Sequence, residues 1–79
     1  MNHYRFSFHA VCPVDGARIL YRAEIRTPDF IPAERLRAWA SERGLEFHER
    51  LADALAAEFG GEQTILATHQ GVEIETRRP

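Results

Sequence analysis

The side chains able to do chemistry in this sequence are a single cysteine, four histidines and a carboxylate that directly follows one of those histidines. Cys12 can act as a thiolate nucleophile, or it can be an inert packed thiol, since free cysteines are among the most buried residues. Glu49 can accept two N–H donors from the edge of a guanine-like heterocycle, or simply complement a helix dipole. Its neighbour His48 is a candidate for a catalytic group, and its ordinary alternative is a packed or surface histidine.

Other kinds of chemistry have little support in the spacing of the residues. Cys12 and the histidines show no short-range ligand pattern, so we predict no metal site. No glycine-rich loop precedes a helix, and no serine lies in a nucleophile-elbow context. All ten basic residues are arginines, which excludes lysine chemistry, and the net charge of −2 argues against a nucleic-acid partner.

Length and composition indicate one small folded unit. The 79 residues are enough for a single domain, which we place at residues 1–79, and 44% hydrophobic with 28% charged residues is typical of a globular protein. No apolar stretch approaches the roughly 20 residues that cross a bilayer, and the first residues lack the order of a signal peptide. We therefore expect a cytoplasmic protein that has no membrane partner.

The first half of the chain positions Cys12. Alternation over Tyr4–Thr27 predicts a β-hairpin with Asp15-Gly16 as a two-residue type I′ turn. Counting outward from this turn pairs Cys12 with Ile19 and makes one face of the ribbon almost wholly apolar. That face is the predicted core face, with Cys12 as its last strand residue near the rim.

The second half supplies the helices and a second hairpin. Helical spacing predicts one helix from Pro32 to a break at Gly44 and another over Glu46–Phe59. Gln63–His69 and Val72–Arg77 then form a hairpin around a Gln-Gly turn. The predicted fold class is α+β, a ββααββ two-layer sandwich whose four-stranded antiparallel sheet carries both helices on one face. Two open sheet edges and apolar residues on the uncovered face predict a homo-oligomer.

Two short segments on this topology resemble the T-fold, or tunnelling-fold, superfamily. Ala10–Gly16 resembles the Cys-Pro-x-x-Gly segment of the 7-cyano-7-deazaguanine nitrile reductases of queuosine biosynthesis. Phe47–Leu51 is similar to their Phe-His-Glu motif and, less closely, to the Gln-Glu-Arg-Leu segment of GTP cyclohydrolase I. The superfamily assembles ββααββ units into barrels and binds purine- or pterin-like rings between subunits. The resemblance implies that Cys12 attacks a nitrile carbon, Glu49 anchors the heterocycle and His48 lines its pocket.

Two departures from that family limit the implied activity. The position seven after the cysteine, acidic in the nitrile reductases, is Ile19, which cannot transfer a proton. The Ser-Lys segment associated with NADPH has no counterpart, because the chain has no lysine, so a cofactor is implied by the resemblance alone. We expect a heterocycle-binding T-fold protein without full reductase activity. The alternative is a non-catalytic ββααββ interaction module in which Cys12 is merely packed.

Overall fold

The computed structural model describes residues 1–79 as six elements in ββααββ order. The strands are β1 (Asn2–Val11), β2 (Arg18–Thr27), β3 (Glu62–His69) and β4 (Val72–Arg78), and the helices are α1 (Ala33–Ser41) and α2 (His48–Phe59). All four strands form one antiparallel sheet in the order β1-β2-β3-β4. This arrangement confirms the predicted α+β class and element order.

The hydrophobic core lies between the two helices and one face of the sheet. Burial alternates along the strands, as expected for a sheet that is covered on one side only. Helix α1 packs on β1 through Trp39, whose ring meets Phe8 edge to face at 5.1 Å between centroids. Helix α2 packs on β3 and β4, and its Leu51 and Leu55 are fully buried. Both helices therefore cover the same face, as predicted.

The register of the first hairpin differs from the prediction by two residues. Ile19 pairs with Ala10 rather than with Cys12, so Cys12 lies beyond the ladder in a loop of residues 12–17. A two-residue turn would have placed Pro13, which has no N–H, within the ladder. The loop also needs only one positive φ, at Gly16 (+74°), whereas a type I′ turn needs two. A slip of two residues preserves the face of every side chain, so the predicted core face is correct.

The second hairpin has the predicted register. Ile65 pairs with Thr76, and His69 pairs with Val72 across the turn. Gln70 and Gly71 both have positive φ, 52° and 78°, as a two-residue primed turn requires.

The helices begin slightly later than predicted. Pro32 precedes α1 with an extended backbone (ψ 135°), and the second helix starts at His48 rather than Glu46. Phe47 therefore lies outside the buried stripe of α2 and is 47% exposed. Neither helix is long and apolar enough to cross a membrane.

Candidate functional site

A cavity of about 350 Å³ opens at one end of the sheet. Three parts of the chain meet there: the loop between β1 and β2, the turn between β3 and β4, and the N-terminus of α2. Antiparallel pairing of β2 with β3 places both hairpin tips at the same end of the sheet. The cavity walls include Cys12, Tyr21, His48 and His69. Two of the sequence-predicted site residues, Cys12 and His48, thus share one cavity.

The loop fixes the position of the Cys12 thiol. The Cys12 N–H donates to the Ala17 carbonyl at 2.9 Å, and the Cys12 carbonyl accepts from the Gly16 N–H at 3.0 Å. The side chain points to the core face and is 8% exposed, with no disulfide partner. Cys12 is therefore a free thiol held in the cavity wall by hydrogen bonds of its own backbone.

Beside this thiol, Asp15 joins the two hairpin tips. Its Oδ2 accepts from His69 Nε2 at 2.9 Å and from Gln70 Nε2 at 2.8 Å, while its Oδ1 accepts from the Ala17 N–H at 3.0 Å. These donors favour the ionised carboxylate. The Ala17 backbone bond is the largest cause that holds the pKa of Asp15 well below its usual range, followed by the side chains of Gln70, His69 and Cys12.

Cys12, Asp15 and His69 form a compact group. One polar atom from each residue, the sulfur, a carboxylate oxygen and an imidazole nitrogen, lies within 4.8 Å of the others. The same three atoms are of the types that bind transition metals, so this group is where the chain could hold a metal ion. Local sequence patterns do not reveal the association of Asp15 with His69, because 54 positions separate the two residues and only the pairing of the two hairpins brings them together.

The segment between the helices positions His48. The Val11 N–H donates to the Gly44 carbonyl at 2.8 Å, and the Glu46 N–H donates to the Val11 carbonyl at 3.1 Å. These bonds pin the segment to the end of β1, so that α2 begins at the cavity. The His48 ring lies 5.4 Å from the Tyr21 ring between centroids, and its Nε2 is buried without a hydrogen-bond partner. Burial is the main cause that lowers the pKa of His48.

Glu49 lies outside this cavity. Its side chain is 73% exposed and accepts from Arg78 Nη2 at 2.9 Å, while Arg78 Nε donates to Asp53 at 2.9 Å. His48 and Glu49 thus project to different sides of α2, as the helical step predicts. Within one chain, Cys12 and His48 come together and Glu49 does not join them.

Comparison of the sequence with protein-family models and with curated proteins gives no match. Among solved structures, the chain is similar to the crystal structure of the archaeosine synthase QueF-Like in the apo form, with a TM-score of 0.71 and 21% sequence identity. The match covers 98% of this chain and 89% of that chain. At this level of identity the similarity defines the fold, and the protein has the T-fold that the two sequence segments predict.

Proposed function

We propose that this T-fold protein binds a planar purine-, deazapurine- or pterin-like heterocycle in the cavity and captures an electrophilic carbon of that ligand with Cys12. The observation that carries the proposal is the convergence of the Cys12 and His48 side chains on the wall of one cavity. The similarity in fold to the archaeosine synthase QueF-Like, together with the resemblance of two segments to nitrile reductases that act on such rings, supports this class of ligand.

The cavity walls suit a flat, partly polar ring. The cavity volume of about 350 Å³ lies at the lower end of the range of volumes for ordinary small-molecule sites. Tyr21, Phe47 and Ile74 supply apolar and aromatic surface for the ring faces. His48 lines the cavity, and a turn of its ring that exposed the buried, unpartnered Nε2 would let a bound ligand hydrogen-bond it and gain binding energy.

A nitrile on the heterocycle is the electrophile that fits Cys12. The sulfur forms a bond to the nitrile carbon, one π bond of the carbon–nitrogen triple bond breaks, and the proton lost by the thiol ends on the nitrile nitrogen. The product is a covalent thioimide, and all atoms and electrons come from the thiol and the nitrile. Reduction beyond this point needs a hydride donor and is not part of the proposed activity. The protein is accordingly proposed to lack full reductase activity.

Glu49 recognises the edge of the heterocycle only if a second copy of the chain supplies it. Its exposed carboxylate on the outer side of α2 can reach a ligand held by a neighbouring subunit, where it accepts two N–H donors from a guanine-like edge. We therefore propose a homo-oligomer with ligand sites between subunits. A cytoplasmic location fits this chemistry, because a thiol nucleophile stays reduced there.

The covalent step is tested with 7-cyano-7-deazaguanine and intact-mass spectrometry. The wild-type protein is expected to gain the mass of one ligand per chain, and Cys12→Ser is expected to lose this adduct while still binding the ligand without a covalent bond. Thermal shift and calorimetric titration measure the non-covalent binding. Absence of both adduct and binding in the wild type, with a thiol that reacts only after denaturation, contradicts the proposal and favours the interaction module.

The role of Glu49 is tested by Glu49→Gln with Asp53→Asn as the matched control. Both carboxylates accept from Arg78 at 2.9 Å, so each substitution removes one ion pair to the same arginine. Only Glu49→Gln is expected to weaken binding of the heterocycle, by roughly tenfold or more, because a charged hydrogen-bond acceptor contributes about 1.5–3 kcal/mol. Equal affinities for the two variants would remove Glu49 from the site.

A further inference from the structure

The proposed covalent capture, on which this inference rests, needs a group that moves a proton from the Cys12 sulfur to the ligand nitrogen. Ile19 also lines the cavity and cannot do so. We infer that His69 is the residue that carries this proton and that Asp15 is the positioning residue that holds His69 beside the thiol. His69 lies outside the two segments that resemble the nitrile reductases, and Asp15 stands at an unspecified position of the Cys-Pro-x-x-Gly segment.

The hydrogen bonds at the hairpin tips support these separate roles. His69 Nε2 lies 2.9 Å from Asp15 Oδ2, and the carboxylate is itself anchored by the Ala17 N–H and the Gln70 side chain. An anchored carboxylate fixes the orientation of the imidazole and stabilises its protonated form. The sulfur lies within 4.8 Å of both partners, and the thiol also hydrogen-bonds the Asp15 carboxylate.

The step then follows the logic of a nucleophile, a base and an orienting carboxylate. His69 accepts the thiol proton on Nδ1, because its Nε2 is bonded to Asp15, and the imidazolium is paired with ionised Asp15. The thiolate attacks the nitrile carbon, the π electrons move to nitrogen, and His69 returns the proton to that nitrogen. The other titratable groups that line the cavity are Tyr21 on β2, Glu46 before α2 and His48 at its start.

The roles of His69 and Asp15 can be tested without any heterocycle. The test follows the rate of alkylation of Cys12 by iodoacetamide from about pH 5.5 to about pH 9. The wild type is expected to keep a reactive thiol near neutral pH. His69→Gln is expected to lower the rate near pH 7 about tenfold and to move the midpoint of the profile to higher pH. Asp15→Asn is expected to move the midpoint less than His69→Gln, because it frees His69 but also removes a negative charge beside the thiol.

The controls separate proton transfer from a change in packing. His9→Gln makes the same substitution on the opposite, exposed face of the first hairpin, and its profile should match the wild type. A substitution that only changes the exposure of the thiol alters the alkylation rate by the same fold-change at every pH, so the midpoint of the profile stays unchanged. An unshifted midpoint in both His69→Gln and Asp15→Asn, with folding verified by circular dichroism, overturns the inference.

Two further outcomes distinguish this inference from the proposed function. If His69→Gln shifts the midpoint of the alkylation profile while the wild type binds no heterocycle, the roles of His69 and Asp15 are supported and the proposed ligand is wrong. Adduct formation with 7-cyano-7-deazaguanine at the wild-type rate in His69→Gln overturns the pair alone. Metal analysis of the purified protein is the third readout: one tightly bound metal ion per chain that is lost in Cys12→Ser would make the three residues ligands and overturn the inference.

Discussion

At the scale of single residues, His48 is partly buried, and its Nε2 is fully buried without a hydrogen-bond partner in the folded chain. Its surroundings favour the neutral ring, because burial, as the largest cause, lowers its pKa below the ordinary value of 6.5. The unfolded chain has no such burial and binds a proton more readily. The free energy of unfolding therefore decreases as the pH falls, because protonation of His48 favours the unfolded chain.

This imbalance gives stability a predictable dependence on pH. The contribution of His48 is fully present above its unfolded pKa of about 6.5 and is lost as the pH falls through that value toward the lower folded pKa. We expect the urea midpoint of the wild type to fall between about pH 7 and about pH 5, and to fall less in His48→Gln. Asp15 contributes in a separate window, since its lowered pKa matters only at pH values near and below 3.8.

Exposed His9 supplies the control for this experiment, because His9→Gln should keep the full wild-type slope. A slope that stays unchanged in His48→Gln would show that the buried ring has no part in the acid sensitivity.

The site residues differ in how far sequence alone predicts them. Cys12 and His48 were candidates because each residue type is rare here and lies beside a recognisable turn or helix start. Asp15 was interpreted only as a turn residue, and His69 as a strand residue without the spacing of a metal ligand. Their contact depends on how β2 pairs with β3, which local patterns do not encode.

At the scale of the elements, the junction between α2 and β3 depends on a close approach of two backbones. Gly61 has a φ of +75°, and a Cβ placed on it would lie 2.8 Å from the Arg26 carbonyl oxygen and 3.1 Å from Thr27 Cβ. Residues with a Cβ rarely adopt such a positive φ, and they rarely place the Cβ this close to a backbone oxygen. This glycine lets β3 turn back onto β2 directly after the helix.

Gly61→Ala is expected to cost more stability than Gly71→Ala. Gly71 has a similar φ of +78° but has no atom within 4 Å of the corresponding Cβ position, so it isolates the conformational cost. That cost is about 1–2 kcal/mol, and the clash at Gly61 should add at least about 1 kcal/mol more. Urea unfolding of the two variants measures the difference, and equal losses would show that Arg26 and Thr27 move aside freely.

The two hairpins show what limits prediction of register. Gln70-Gly71 adopts a two-residue turn, so counting outward from it gave the correct pairs. Asp15-Gly16 has the more favourable turn sequence, yet Pro13 and the Asp15 carboxylate favour a longer loop. The error placed Ile19 opposite Cys12, although the core face itself was predicted correctly.

At the scale of the whole molecule, one chain leaves β1 and β4 as open edges and leaves Leu20 49% exposed on the face without helices. Open edges and exposed apolar residues favour association. The proposed ligand site also needs Glu49 from a second copy.

We expect sedimentation velocity to give a mass several times the 9.1 kDa of one chain. Glu49→Gln should leave this mass unchanged, since its role is in ligand binding rather than assembly. If the protein stays monomeric at all concentrations and still binds the heterocycle, the ligand site does not lie between subunits.

The contacts of Asp15 with His69 and Gln70 span 54 and 55 positions of a chain of 79 residues. His69 and Gln70 can reach Asp15 only when β2 has paired with β3, so these hydrogen bonds form as the two hairpins join into one sheet.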